Sequence, residues 1–116
     1  MWLDYVTRDV LQSLYYGAAG FVFPSLAEGF GLPVIEALAA GLPVVASDLP
    51  ALVEIADGYA TFVPPDSIDA LSAALARLHD DPGAKGEAEA RRRHARTFSW
   101  SQCASETHAL YRELIR

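Results

Sequence analysis

Apolar residues along this 116-residue chain follow two rhythms. Short apolar or β-branched runs at residues 3–6, Phe21–Phe23, 43–47 and Thr61–Val63 are bounded by Gly, Pro or polar clusters and read as strands. Between them apolar residues recur every three or four positions. Thr7 is placed to cap a helix over residues 7–16, with Val10, Leu11, Leu14, Tyr15 and Ala18 on one face. A second helix carries Pro33 in its first turn and stops at Gly41. Leu49 and Pro50 break the chain before a short helix over residues 51–56 that ends near Gly58. Pro64 and Pro65 stop the last strand. Asp66 or Ser67 then caps an amphipathic helix whose Ile68, Leu71, Leu75 and Leu78 share a stripe. Residues 80–83 form a loop and residues 85–97 a polar helix. Ser99 and Gln102 make a capping-box pattern before a last helix, on which Trp100, Cys103, Ala104, Leu110, Tyr111 and Leu114 are apolar. Strands alternating with helices predict an α/β fold with a mostly parallel sheet.

The stretch FVFPSLAEGFGLPVIEALAAGLPVVAS, residues 21–47, is one βαβ unit. Its glycine-bearing loop, residues 28–31, lies at the carboxyl end of a strand, where open α/β sheets bind ligands. The first turn of the following helix carries backbone N–H groups without intrahelical partners. Those donors and the helix dipole suit an anion such as phosphate. Gly29 and Gly31 allow close approach of a ligand and positive φ. Pro33 loses nothing at the first helical position. Glu28 and Glu36, with seven residues between them, do not suit an anion site as charges. They suit it as acceptors for hydroxyl groups flanking the anion. A diphosphate with a polyol on each side is a nucleotide sugar.

The run EGFGLPVIE, preceded by FPS and followed by EALAAGLPVVAS, resembles the donor-site signature of retaining glycosyltransferases with two Rossmann-like domains, glycosyltransferase family 4 or group 1. The segments VTRDVLQSLYYGAAGFVFPS and LPALVEIADGYATFVPPDSIDALSAALARLHDDP resemble the flanking parts of that family, and FSWSQCASETHALYRELI its terminal helix. The likeness thus covers nearly the whole chain. It implies a Rossmann-like three-layer parallel sheet forming the C-terminal half of a donor-binding domain. Residues 98–116 are then a helix that crosses to an N-terminal domain the chain does not contain. That domain would hold the acceptor, whose nature is left unassigned. The basic pair that faces the donor diphosphate in the family has no match here, and Asp4 stands about where the family often has a glycine. Met1 is expected to mark a cut chain or a truncated reading frame. The resemblance also implies the site roles. Glu28 contacts hydroxyls of the transferred sugar and is the catalytic residue. Ser25, Gly29, Phe30, Gly31 and Leu32 face the diphosphate and sugar, and Glu36 the ribose hydroxyls. The donor is a nucleotide-diphosphate sugar, with a guanine nucleotide carrying mannose as the suggestion from overall likeness. No further cofactor and no metal are required. A cytoplasmic enzyme follows, with peripheral attachment at the inner membrane as a further expectation.

Composition narrows the alternatives. A hydrophobic content of 52% with 21% charged residues describes one globular domain. A net charge of −6 argues against nucleic acid or anionic membrane as a general partner, since both need a basic surface. The single cysteine excludes an internal disulfide.

Each candidate has a plainer account. Glu28 could be an exposed loop carboxylate, and Glu36 a surface helix position. The neighbours Ile35, Ala37, Leu38 and Ala39 are apolar, however, so a carboxylate at Glu36 needs a partner. The glycine loop could be a turn with a helix cap, Phe30 a packing residue and Ser25 a cap. The basic run at residues 91–96 follows Glu87 and Glu89 at four-residue spacing, which describes a solvated helix with ion pairs. His79, His94 and His108 have no metal-ligand spacing with one another or with Cys103, which reads as core. Asp80 and Asp81 read as loop residues before Pro82. Beside the transferase stand a non-catalytic nucleotide-sugar-binding module, an inactive self-associating fragment, and an epimerase or phosphorylase of the same architecture. A half-domain would leave a sheet edge and the terminal helix uncovered, so a homo-oligomer is expected.

Overall fold

The computed structural model describes residues 1–81, 83 and 85–116. Pro82, expected in a loop, lies outside the described residues. The elements run α1 (Arg8–Gly17), β1 (Phe21–Phe23), α2 (Leu32–Ala40), β2 (Val44–Ser47), α3 (Pro50–Ala56), β3 (Thr61–Val63), α4 (Ile68–Asp80), α5 (Lys85–Ala95) and α6 (Trp100–Leu114). The three strands pair in parallel in the order β1-β2-β3, with Phe21 beside Val44 and Val45 beside Thr61. Consecutive strands joined by helices demand crossovers of one hand, which put α2 and α3 on the same face.

Strand alternation then divides the core. Phe21, Phe23, Val44, Ala46 and Phe62 pack with α2, α3 and Ala95 of α5. Val45 and Val63 pack on the opposite face against Ala70, Leu71, Ala74 and Leu78 of α4. The result is helix, sheet, helix: the three-layer Rossmann-like arrangement. Leu38, Leu52 and Val34 are the largest apolar side chains fully buried with Val45. Each stabilises the fold by about 1.5–3 kcal/mol relative to an exposed side chain.

Helix α2 is central, and its ends are tightly specified. Pro33 lies in its first turn, where no N–H is needed. Gly41 ends it at φ 83°, its amide turned back to Ala37 and Leu38 carbonyls. Helix α5 seals that end from outside. Arg91 Nε donates to the Gly41 carbonyl at 3.0 Å, and Arg92 Nη2 to the Ala40 carbonyl at 3.3 Å. These cations satisfy carbonyls that the helix itself cannot, at the negative end of its dipole. The expectation of a wholly solvated basic run is therefore wrong for Arg91, which is 8% exposed. The Glu87–Arg91 pair forms at 3.6 Å, but Glu89 pairs with Arg92 and Arg96, at 3.6 and 3.7 Å, rather than with Arg93. His94 is also structural. Its Nε2 donates to the Ile55 carbonyl at 2.7 Å while the ring stacks on Tyr59.

Other expectations need correction. Residues 3–6 form no strand, because they meet no neighbouring strand to pair with. Thr7 takes the N-cap position of α1 without a side-chain cap bond. Ser67, not Asp66, caps α4, accepting from the Ala70 amide at 3.2 Å. Ile68 leaves the stripe of α4 and is 83% exposed. Ser99 accepts from the Gln102 amide at 3.4 Å, yet the Gln102 side chain donates to Glu106 instead of returning to the cap. Cys103 is exposed rather than core. No residue of α6 is buried, and Trp100 is 77% exposed. The radius of gyration is 16.2 Å, against about 13 Å for a compact chain of this length. No helix among the described residues is long and apolar enough to cross a membrane.

Two outcomes follow from this packing. Arg91→Met should lower stability by about 1–3 kcal/mol, because it leaves the buried Gly41 carbonyl unpaired. The same change at exposed Arg93 should stay within about 0.5 kcal/mol, and denaturant melts of the two variants test the contrast. The uncovered β1 edge and the bare apolar side of α6 should also drive association. Light scattering at two concentrations checks this, and a monodisperse monomer that binds no hydrophobic dye would refute it.

Candidate functional site

The chain leaves β1 at Phe23 and turns through Pro24 and Ser25 into the glycine loop. Ser25 Oγ donates to Glu28 Oε1 at 2.6 Å, so the serine grips the loop carboxylate rather than capping a helix. Glu28 is half-buried beside it. The loop ends at Gly31, the N-cap of α2, with φ 98° and ψ 43°. This left-handed conformation disfavours any residue with a Cβ. Space forbids one too, since a Cβ here would strike Leu52 and approach Ile55 Cδ1 to 3.2 Å. Gly29 differs from its expected role. It does not have positive φ, but a Cβ there would meet nothing within 4 Å, so its backbone is open to a ligand.

The amides of Gly29, Phe30, Gly31 and Leu32 donate to no backbone or side-chain acceptor among the described residues. They gather before and at the positive end of α2. An anion placed there would meet several unpaired donors and a favourable dipole. Phe30 and Leu32 are each about half exposed, and Phe30 also leans edge-on against Phe98. It is thus both a packing residue and a loop residue.

Glu36 lies one turn into α2 on its outer face. Val34, Ile35, Ala37 and Leu38 are buried around it, so the helix is apolar on every side but this one. Glu36 is itself exposed, so burial does not demand a partner, but the carboxylate has one. Tyr15 of α1 donates its hydroxyl to Glu36 Oε2 at 3.0 Å. Burial first, and then the Glu36 hydrogen bond and charge, hold the Tyr15 phenol far above its usual pKa. The sequence offered Tyr15 only as a member of an apolar stripe. Its separation of 21 residues from Glu36 left no local signal for the bond.

The structure therefore brings Ser25 and Glu28 together, sets the free amides next to them, and places Glu36 on the helix that follows. Ser47, at the carboxyl end of β2, is fully buried, and its Oγ has no hydrogen-bond partner in the protein. A cavity of about 650 Å³ lies at the opposite end of the sheet, between Pro43, Thr61, Arg77 and Arg91. It is an unpromising ligand site. Arg91 is committed to Gly41, and open α/β sheets bind at the carboxyl ends of their strands.

Known proteins resemble this chain in sequence and fold. Residues 1–81 match the family described as glycosyl transferases group 1. The O-antigen chain mannosyltransferase B of Escherichia coli is 38% identical over 97% of this chain and 30% of its own length. The MMP alpha-(1->4)-mannosyltransferase of Mycolicibacterium hassiacum is 42% identical over 95% of this chain and 28% of its own. Among solved structures, a sucrose-phosphate synthase from Thermosynechococcus elongatus superposes with a TM-score of 0.82 at 34% identity, over 97% of this chain and 29% of that one. The chain thus spans about 30% of the length of these relatives. With the parallel sheet, the glycine loop and its two glutamates already in place, the chain belongs to the glycosyl transferases group 1 family.

Proposed function

We propose that this chain is the donor-binding portion of a retaining glycosyltransferase that moves a hexosyl group from a nucleotide sugar to an acceptor. The observation that carries this is the row of unpaired amides from Gly29 to Leu32, flanked by Glu28 on the loop and Glu36 on the helix. In this reading the amides and the dipole of α2 receive the diphosphate. Glu28, held by Ser25, accepts from hydroxyls of the sugar. Glu36 accepts from the ribose hydroxyls. Departure of the nucleoside diphosphate is then aided by fixed donors facing the charge that develops on it, which needs no metal ion. The names of two relatives favour mannose as the transferred sugar. In this reading the residues that hold the acceptor, and the cations that complete neutralisation of the diphosphate, belong to a longer protein.

Binding tests the assignment. GDP, UDP and their mannose and glucose conjugates are titrated against the wild-type chain, Glu28→Ala and Glu36→Ala. Glu36→Ala should weaken nucleotide binding about ten- to hundredfold, the effect of losing a hydrogen bond to a charged group. Glu28→Ala should affect mainly the sugar-dependent part. Unchanged affinities in both variants would remove the site.

The isolated chain should not transfer sugar. Incubation with GDP-mannose or UDP-glucose and a panel of sugar acceptors should give no product. Turnover on the order of 1 s⁻¹, ordinary for an enzyme, would overturn this part of the reading.

A further inference from the structure

Helix α1 lies against α2. Tyr15 is the one residue of α1 that is not exposed. Its ring packs on Phe21 with centroids 5.5 Å apart and joins the cluster beneath α2. Its hydroxyl emerges from that packing at the level of Glu36 and donates to Oε2 at 3.0 Å. The ring is fixed by the core, so the hydroxyl is a fixed donor. Glu36 Oε1 has no partner among the described residues. The pair forms part of the wall of a groove of about 230 Å³ between α1 and α2, which also presents Arg8, Gln12 and Tyr16.

We infer that Tyr15 is a positioning residue for nucleotide recognition: its hydroxyl locks Glu36 so that Oε1 faces the ribose hydroxyls of a nucleoside diphosphate. The inference rests on the reading of Glu36 as the ribose acceptor. A free glutamate on an exposed helix face samples several rotamers, and each ligand hydroxyl that it binds must first restrict them. With Oε2 held, that restriction is already in place. A phenol is already protonated at neutral pH, and burial and the negative neighbour push its pKa further up, so Tyr15 is a donor. A carboxylate oxygen retains lone pairs after accepting one bond, so the tyrosine orients Glu36 without using up its capacity.

The test separates positioning from mere packing. The probes are GDP and UDP and their 2′,3′-dideoxy forms, titrated against the wild-type chain, Tyr15→Phe, Glu36→Gln and the double variant. The wild type should prefer the ribonucleotides. Tyr15→Phe keeps the ring and its packing, and should weaken ribonucleotide binding about three- to tenfold while leaving the dideoxy forms unchanged. Glu36→Gln should reduce the preference, and adding Tyr15→Phe to it should change little. If the wild type prefers ribonucleotides but Tyr15→Phe weakens all probes equally, or none, the positioning role is wrong and the Glu36 reading stands. If the wild type does not distinguish the two forms, or binds neither, the Glu36 reading falls and this inference falls with it. Should Tyr15→Phe fail to fold, the wild-type chain still decides by NMR. The Tyr15 Cζ resonance should respond to GDP and not to dideoxy-GDP, and an equal response or none would overturn the proposal.

Discussion

The geometry of this protein turns on the backbone of Gly31. At that residue the chain passes from an irregular loop into α2 through a left-handed conformation, with α3 pressed against the place where a side chain would stand. Contact with Leu52 and Ile55 fixes the start of α2 against the core. That fixes where its unpaired amides gather and how far Glu36 lies from Glu28. A Cβ would face two separate penalties here: the positive φ strains any side chain, and the buried Leu52 side chain would have to shift. The candidate site is thus a consequence of how tightly two helices on one face of the sheet approach each other.

The opposite end of α2 shows the same logic with different chemistry. Its last carbonyls lie under α5, out of reach of much water, so they need internal donors. Arg91 and Arg92 supply these donors from an element that is otherwise polar and half-solvated. A helix with a glycine at each end, a core on most of its circumference and guanidinium groups across its foot has little freedom to slide. That rigidity favours the free amides at its head, because a prearranged row of donors binds an anion with less reorganisation.

Much of this could be read from the residues. Pro33 and Gly41 bound α2 closely, Phe21–Phe23 and Thr61–Val63 lie at their expected limits, and the glycine loop falls between β1 and α2 as its residues predict. These features are local: turn residues, caps and short runs act over a few positions. What escaped was non-local. Residues 3–6 have the composition of a strand but no partner. The apolar stripe containing Cys103 has helical spacing but nothing packed on it. Arg91 looks like any solvated arginine until Gly41, fifty positions earlier, is seen beneath it. Tyr15 looks like packing until its hydroxyl is followed to Glu36. Periodicity reports which face of an element is apolar. It does not report which distant group that face will meet.

The order of the strands has a kinetic consequence. Each strand pairs with the next one in the chain, so every ladder closes over a single intervening helix. Parallel sheets usually fold slowly because their partners are remote in sequence, yet here the loops to be closed are short for the type. The unit from β1 to β2, which carries both glutamates and the glycine loop, contains its own crossover helix and most of its own buried side chains. It could therefore serve as a nucleus that assembles early, with α4 and α5 condensing on it later. The part of the molecule that would meet the ligand would then also be the part that first acquires native shape.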